Sequence, residues 1–229
     1  MVPPEPSSPS VEHVVLPWVG SEKFVIIIRE CVPPVLLAKL AAAAEGQGFV
    51  GDDYYFVPAD GRQAQRCERA LVNSDLMAGQ LYAHVRAMLP VTVDERSCCG
   101  LSQHLRFLRY GAGNGFMPHT DGPSERAGGD EISTLSFILY LNDDYQGGCT
   151  RFIDPHCSRV DAVSIVPAAG DVLVFSHDLL HEGATVSRGV KRVMRTDVMY
   201  RRTADPDVLR LQTESASPLR PCCAEARAL

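Results

Sequence analysis

The stretch Ser133-Thr134-Leu135-Ser136-Phe137-Ile138-Leu139-Tyr140-Leu141, closed by Asn142-Asp143-Asp144, decides the fold. An apolar run of this length with β-branched and aromatic members, ended by a turn signal, reads as a strand. Residues 105–110, 150–153, 162–166, 171–176 and 190–200 have the same texture, and glycine- or proline-bearing turns at 111–115, 147–148 and 167–170 separate them. Upstream, residues 23–29 read as a buried strand. Pro33 and Pro34 open a helix that runs to about Glu45, where Gly46 and Gly48 end it. Leu76, Met77, Leu81, Val85 and Met88 recur at helical spacing and predict a second helix over 74–88, stopped by Pro90. Helices first and short strands afterwards predict a mainly β fold with supporting α-helices, a double-stranded β-helix or jelly roll.

The expected organisation is a single domain with appendages. Residues 1–12, rich in proline and serine, read as a disordered N-terminus. Residues 13–100 supply an N-terminal strand and supporting helices, with a polar loop or short hairpin at 51–66. Residues 101–202 form the jelly-roll core, and 203–229 a mobile C-terminal tail.

Composition narrows the function classes. A hydrophobic content of 45% suffices for a substantial core, and a net charge of −6 argues against a general nucleic-acid binder. The apolar run Phe24 to Ile28 is too short to cross a bilayer, and residues 1–10 lack the basic and apolar parts of a secretory signal. A cytoplasmic or nuclear location without membrane attachment is expected. The eight cysteines form no CxxC pair, which gives a structural zinc site little support and reads as free thiols in a reducing compartment.

The candidate chemistry lies in Met117-Pro118-His119-Thr120-Asp121-Gly122. Side chains at i and i+2 of an extended segment point the same way, so His119 and Asp121 can reach one ion. Leu179-Leu180-His181-Glu182-Gly183 offers His181 as a third ligand, just after an apolar strand. Two imidazoles and one carboxylate on one octahedral face leave positions open, an arrangement suited to non-haem iron. Tetrahedral zinc would favour three or four nitrogen or sulfur ligands. His177 competes with His181 only if 177–181 is helical, which the strand preceding it disfavours. Glu182 is a candidate acceptor for the outer N–H of a ligating imidazole. His104 and His156 lack ligand-like company.

The order of these pieces resembles the catalytic domain of prolyl 4-hydroxylase-type members of the Fe(II)/2-oxoglutarate-dependent dioxygenase superfamily. The resemblance covers residues 101–202. It rests on Leu108-Arg109-Tyr110 with its glycine-rich turn, Pro118-His119-Thr120-Asp121, Phe137 through Asp143, and Gly147-Gly148-Cys149-Thr150-Arg151-Phe152. Pro167 through Asp171 and His181 through Tyr200 complete it. It implies Fe(II) on His119, Asp121 and His181, with 2-oxoglutarate as co-substrate, O2 as oxidant and ascorbate as reductant. It further implies that Lys191, early on the strand after the second histidine, holds the far carboxylate of 2-oxoglutarate. Arg195 shares its strand face and is the alternative. Tyr140 matches a tyrosine that helps hold that carboxylate, and Tyr110 matches another pocket tyrosine. Ser136 and Thr134 share the face of Tyr140 and are expected to line the pocket.

The reaction implied is hydroxylation of a second substrate with release of succinate and CO2. A protein or peptide is the expected substrate, a peptidyl proline first, with a small molecule as the other class. Residues 51–66 and the polar, flexible-looking 122–131 are the loops expected to select it. Cys149 and Arg151 depart from the family pattern and leave the substrate side open. Two rivals are a cupin-like metalloenzyme that does not use 2-oxoglutarate and a non-catalytic binding module on the same scaffold.

Overall fold

The computed structural model describes residues 9–52, 67–126, 128–156 and 162–202. In chain order the elements begin with β1 (Ser10–His13), β2 (Val25–Arg29), α1 (Pro34–Gln47), β3 (Val50–Asp52), β4 (Cys67–Asn73) and α2 (Asp75–Val85). Then come β5 (Thr92–Val93), β6 (Arg96–Leu101), β7 (His104–Gly111), β8 (Phe116–His119), β9 (Glu131–Tyr140) and β10 (Gln146–Gly147). The chain continues through β11 (Thr150–Phe152), β12 (Val163–Ile165), β13 (Val172–Ser176), β14 (His181–Gly183), β15 (Val186–Arg188) and β16 (Val190–Arg202).

The strands of the roll are divided between two antiparallel sheets. The larger contains the run β13-β9-β16-β7 and the smaller has the order β12-β11-β14-β8. Following the chain, β7 leads across to β8, back to β9, across to β11 and β12, back to β13, across to β14 and back to β16. This path is that of a jelly roll, in agreement with the sequence reading. The upstream strands extend the large sheet, β2 and β1 beyond β13, β4 and β3 beyond β7.

Both faces of the large sheet are covered. Leu105, Phe107, Leu135, Phe137, Leu139 and Met194 form one core with Leu36, Leu40 and Ala44 of α1 and Ala78, Leu81 and Val85 of α2. Tyr110, Tyr140, Phe175 and Val193 form a second core with Phe152 and Ile165 of the small sheet. Double coverage explains why β2 and β13 read as unbroken apolar runs. Ile26, Ile28, Val172 and Val174 enter the helix-side core, while Val25, Ile27, Leu173 and Phe175 enter the core between the sheets.

Each helix buries one stripe, Leu36, Leu40 and Ala44 recurring every four residues in α1. Gly46 lies inside α1, and Gly48, with φ of +83°, closes it. At α2 the Ser74 hydroxyl accepts the Met77 N–H and caps the helix, and a 3-10 turn carries on to Met88. Ser74→Ala is expected to lower stability by about 1 kcal/mol in urea unfolding, the usual worth of an N-cap.

Two expectations need correction, and one strand had gone unread. Disorder does not extend through residue 12: Ser10–His13 pairs with β2, because the exposed edge of that strand offers unpaired backbone groups. Residues 1–8 and the tail at 203–229 lie outside the described residues. Strand β4 had no clear sequence signal, since Glu68 and Arg69 interrupt its apolar pattern, yet it pairs along β7 from Glu68 to Asn73. The loop at 122–131 is not loose over its described residues, and residue 127 lies outside them. The Arg126 guanidinium donates to the Leu101 carbonyl at 2.7 Å and pairs with Glu131 at 2.7 Å. Of the other predicted selector loop, residues 53–66 lie outside the described residues. No helix among the described residues is long and apolar enough to cross a membrane.

Candidate metal centre and co-substrate pocket

β8 and β14 are antiparallel neighbours, and their register sets His119 opposite His181. Asp121 follows β8, and its backbone N–H is held by the His177 carbonyl at 2.7 Å. His119 Nε2 lies 3.7 Å from Asp121 Oδ1, and His181 Nε2 lies 3.9 Å from Asp121 Oδ2. One ligand atom from each of the three residues lies within 4.8 Å of the others. Two donors each about 2.1 Å from an ion can be at most about 4.2 Å apart, so both histidine–aspartate distances fit a shared metal.

The imidazoles are held for ligation. His119 Nδ1 is 2.8 Å from the Met117 carbonyl and His181 Nδ1 is 2.9 Å from the Leu179 carbonyl. A carbonyl only accepts, so each Nδ1 carries the proton and each Nε2 presents a lone pair. Burial, and then the neighbouring His119, push the His181 pKa down to about 4, and burial also lowers His119. Burial alone would raise the Asp121 pKa, but Arg195, His181, the Ser136 hydroxyl and His119 together bring it below the ordinary carboxylate value. The donor set is therefore two neutral imidazoles and one carboxylate, which suits a divalent ion.

Glu182 does not serve as the outer acceptor. It pairs with Arg151, its register partner on β11, and backbone carbonyls take that role instead. His177 is no ligand either; it is buried with Nδ1 2.8 Å from Ser136 Oγ and Nε2 2.9 Å from Ser133 Oγ. Ser136 in turn donates to Asp121 Oδ2. Ser136 thus stands behind the metal carboxylate, and neither it nor Thr134 is on the cavity wall. Removing this orienting hydroxyl with Ser136→Ala is expected to weaken metal binding roughly tenfold, read by competition with a chelator.

His119, Asp121 and His181 open on a cavity of about 530 Å³ that Tyr110, Thr150 and Lys191 also line. Lys191 is only 5% exposed, and its ammonium donates to the Gly148 carbonyl at 2.6 Å. Among the described residues no carboxylate pairs with it. Gly148 has φ of +64°, and a Cβ there would meet Val186 Cγ2 at 2.9 Å and Lys191 Cδ at 3.3 Å, so the turn holds the lysine stem closely. Burial lowers the Lys191 pKa to about 8. Its Nζ lies 5.3 Å from the Tyr140 ring centroid. The Tyr140 hydroxyl is fully buried and bonds Thr150 Oγ1 at 2.7 Å, so Thr150 rather than Tyr140 faces the cavity. Tyr110 is the register partner of Lys191 on β7 and does line it.

Arg195 stands elsewhere. Its Nη2 is 2.9 Å from Asp121 Oδ1 and 3.4 Å from Asp197 Oδ1. On a strand rising about 3.3 Å per residue, its backbone is about 13 Å from that of Lys191. Two further arginines on the wall, Arg69 and Arg106, were missed by sequence reading. The available signal was the alternation in β7: Leu105 and Phe107 bury against the helices, so Arg106, Leu108 and Tyr110 share the opposite face.

Comparison with known proteins agrees with this geometry. Residues 105–198 match the model of the 2OG-Fe(II) oxygenase superfamily. A PKHD-type hydroxylase of Caulobacter vibrioides is 31% identical over 165 residues, covering 66% of each chain, so the chain spans just under two thirds of that relative. A viral collagen prolyl hydroxylase of Paramecium Bursaria Chlorella virus-1, in its 2OG complex, superposes with a TM-score of 0.55 at 16% identity, covering 76% of this chain and 95% of that one. A Pseudomonas putida prolyl-4-hydroxylase gives 0.52 at 18% identity, with 78% and 92% covered. A Trichoplax adhaerens prolyl hydroxylase in complex with a hypoxia inducible factor oxygen degradation domain peptide fragment gives 0.53 at 13%, with 85% and 87% covered. At such identities the solved structures speak for the fold, while the matched sequence segment contains His119, Asp121, His181 and Lys191. Over residues 105–198 the chain matches the 2OG-Fe(II) oxygenase superfamily, and it is similar to a PKHD-type hydroxylase.

Proposed function

We propose that this protein is an Fe(II)- and 2-oxoglutarate-dependent dioxygenase that hydroxylates a peptide substrate, a peptidyl proline being the first class to try. The observation that carries the reading is a buried ammonium, Lys191, without a carboxylate partner among the described residues, on the same cavity as the His119–Asp121–His181 cluster. A buried cation is stabilised by an anion, and a five-carbon diacid that chelates a metal at one end presents a carboxylate at the other.

In this reading His119, Asp121 and His181 hold iron, and Lys191 holds the far carboxylate of 2-oxoglutarate with Thr150 and Tyr110 beside it. Iron when bound supplies the activation of O2 that converts 2-oxoglutarate to succinate and CO2 and hydroxylates the second substrate. The protein's own contribution is placement and shielding. Leu108, Ile138 and Val193 present apolar surface between the cation ends of the cavity and limit water there. Ser136 and the His177 carbonyl keep Asp121 oriented. Ascorbate serves as reductant. The peptide class is supported by the Trichoplax prolyl hydroxylase of similar fold, which is in complex with a peptide fragment. The described cysteines are all free thiols, which suits a cytoplasmic or nuclear setting.

The test is succinate formation by purified protein with Fe(II), 2-oxoglutarate and ascorbate, alone and with proline-containing peptides. Iron-dependent turnover that one peptide stimulates is the expected result. Neither turnover nor 2-oxoglutarate binding would refute the reading and leave the binding module in its place, while turnover of a substrate without 2-oxoglutarate would favour the cupin-like enzyme.

A further inference from the structure

The cavity carries more positive charge than the co-substrate accounts for. Arg69 on β4, Arg106 on β7 and Arg195 on β16 all line it. Arg106 and Arg195 are direct cross-strand partners, and Arg69 stands opposite Leu108, on the same face two residues along β7. Like charges set directly opposite one another destabilise a sheet unless something compensates them. The chain as a whole has a net charge of −6, so this cluster is a local exception.

The compensation present is incomplete. Arg106 Nη1 is 3.7 Å from Asp197 Oδ2, too far for a hydrogen bond, and Arg106 Nη1 and Arg195 Nε are buried without hydrogen-bond partners. Arg195 reaches Asp121 and Asp197, but Asp121 belongs to the metal cluster. Among the described residues, Asp197 is the one carboxylate outside the metal cluster that pairs with Arg106 and Arg195. They also stand at the opposite end of the β16 face from Lys191, with Val193 between. The far end of 2-oxoglutarate at Lys191 therefore leaves them free for a different anion, one that lies beside the metal.

Resting on the oxygenase reading, we infer that Arg106 and Arg195 form a receptor for a carboxylate of the substrate, so that the hydroxylated peptide bears Asp or Glu at or next to the target residue. A planar guanidinium pair matches a carboxylate through paired N–H···O bonds, which fix orientation as well as charge. The apolar strip of Leu108, Ile138 and Val193 then takes the neutral part of the substrate.

The experiment compares two random heptapeptide pools, one containing Asp and Glu and the other Asn and Gln in their place, with N-acetyl-glutamate as a small-acid arm. Succinate formation with Fe(II) and 2-oxoglutarate is read beside fluorescence polarisation of the labelled pools. The acidic pool is expected to stimulate turnover and bind at least tenfold better than the amide pool. Arg106→Gln should abolish that preference while leaving binding of the amide pool and the melting temperature unchanged. Should Arg106→Gln fold poorly, Arg106→Lys replaces it; it keeps the charge but loses the fork, so a several-fold loss of preference is expected. Stimulation by N-acetyl-glutamate and by neither pool would retain the receptor and make its source a small acid. Equal binding of the two pools without stimulation by N-acetyl-glutamate, or an acidic preference that survives the substitution, would overturn the inference. Absence of substrate-free succinate formation is the separate signature of a failed oxygenase reading, and the polarisation arm still decides the receptor in that case.

Discussion

Asp121→Ala is expected to keep the fold and lose iron-dependent succinate formation to the no-enzyme background. Asp121 is the one anionic member of the cluster, and without it two neutral imidazoles face a dication. The loss is compounded by Arg195, whose Nη2 lies 2.9 Å from the Asp121 carboxylate and would face the ion unopposed. Removing one member of a buried charge pair typically costs about 3–5 kcal/mol, so metal affinity should fall roughly 10²- to 10³-fold or more. Metal content after dialysis and succinate yield measure this, with circular dichroism as the check on folding. Retained turnover in the variant would mean that the metal is held elsewhere.

Lys191→Met is expected to raise the dissociation constant for 2-oxoglutarate roughly hundredfold, while Arg195→Met should not produce a comparable change. Truncating one partner of a buried hydrogen-bonded charge pair costs about 2–5 kcal/mol, chiefly because the other charge is left unpaired. Calorimetry with a redox-inert divalent metal in place of iron separates this effect from catalysis. A pH dependence accompanies it. Burial disfavours the ammonium and lowers the Lys191 pKa to about 8, against an ordinary 10.5. A bound carboxylate favours the ammonium and raises the pKa again. Below about pH 8 the lysine is already charged and affinity is flat. As pH rises through 8, binding must take up a proton, and affinity falls by up to tenfold per pH unit. Titrations in buffers of different ionisation enthalpy would reveal that proton. A substitution at Arg195 with the larger effect would exchange the roles given to the two cations.

The local patterns and the metal cluster were legible for physical reasons. Strand and helix periodicities are properties of adjacent residues, and His119 and Asp121 are near neighbours whose common direction follows from an extended backbone. His181 was legible only through its motif, since nothing local says that β14 returns beside β8. Strand β4 was not legible, because its charged positions fit an element that has a cavity on one side, and that cavity exists only after the sheets close.

What the amino-acid sequence by itself determined is the jelly-roll class, the three candidate metal ligands His119, Asp121 and His181, and the pair of cations on β16. What only tertiary structure decided is what surrounds each cation. Lys191 and Arg195 share a face by strand geometry, so geometry along the strand does not separate them and only motif position favours Lys191. They are distinguished by what the fold brings to each: the Gly148 carbonyl and an apolar burial around Lys191, and Asp121, Asp197 and Arg106 around Arg195. Those neighbours come from other strands and from the opposite sheet. Electrostatic roles depend on distances between groups that the chain brings together only on folding, and a sequence pattern holds no such distances.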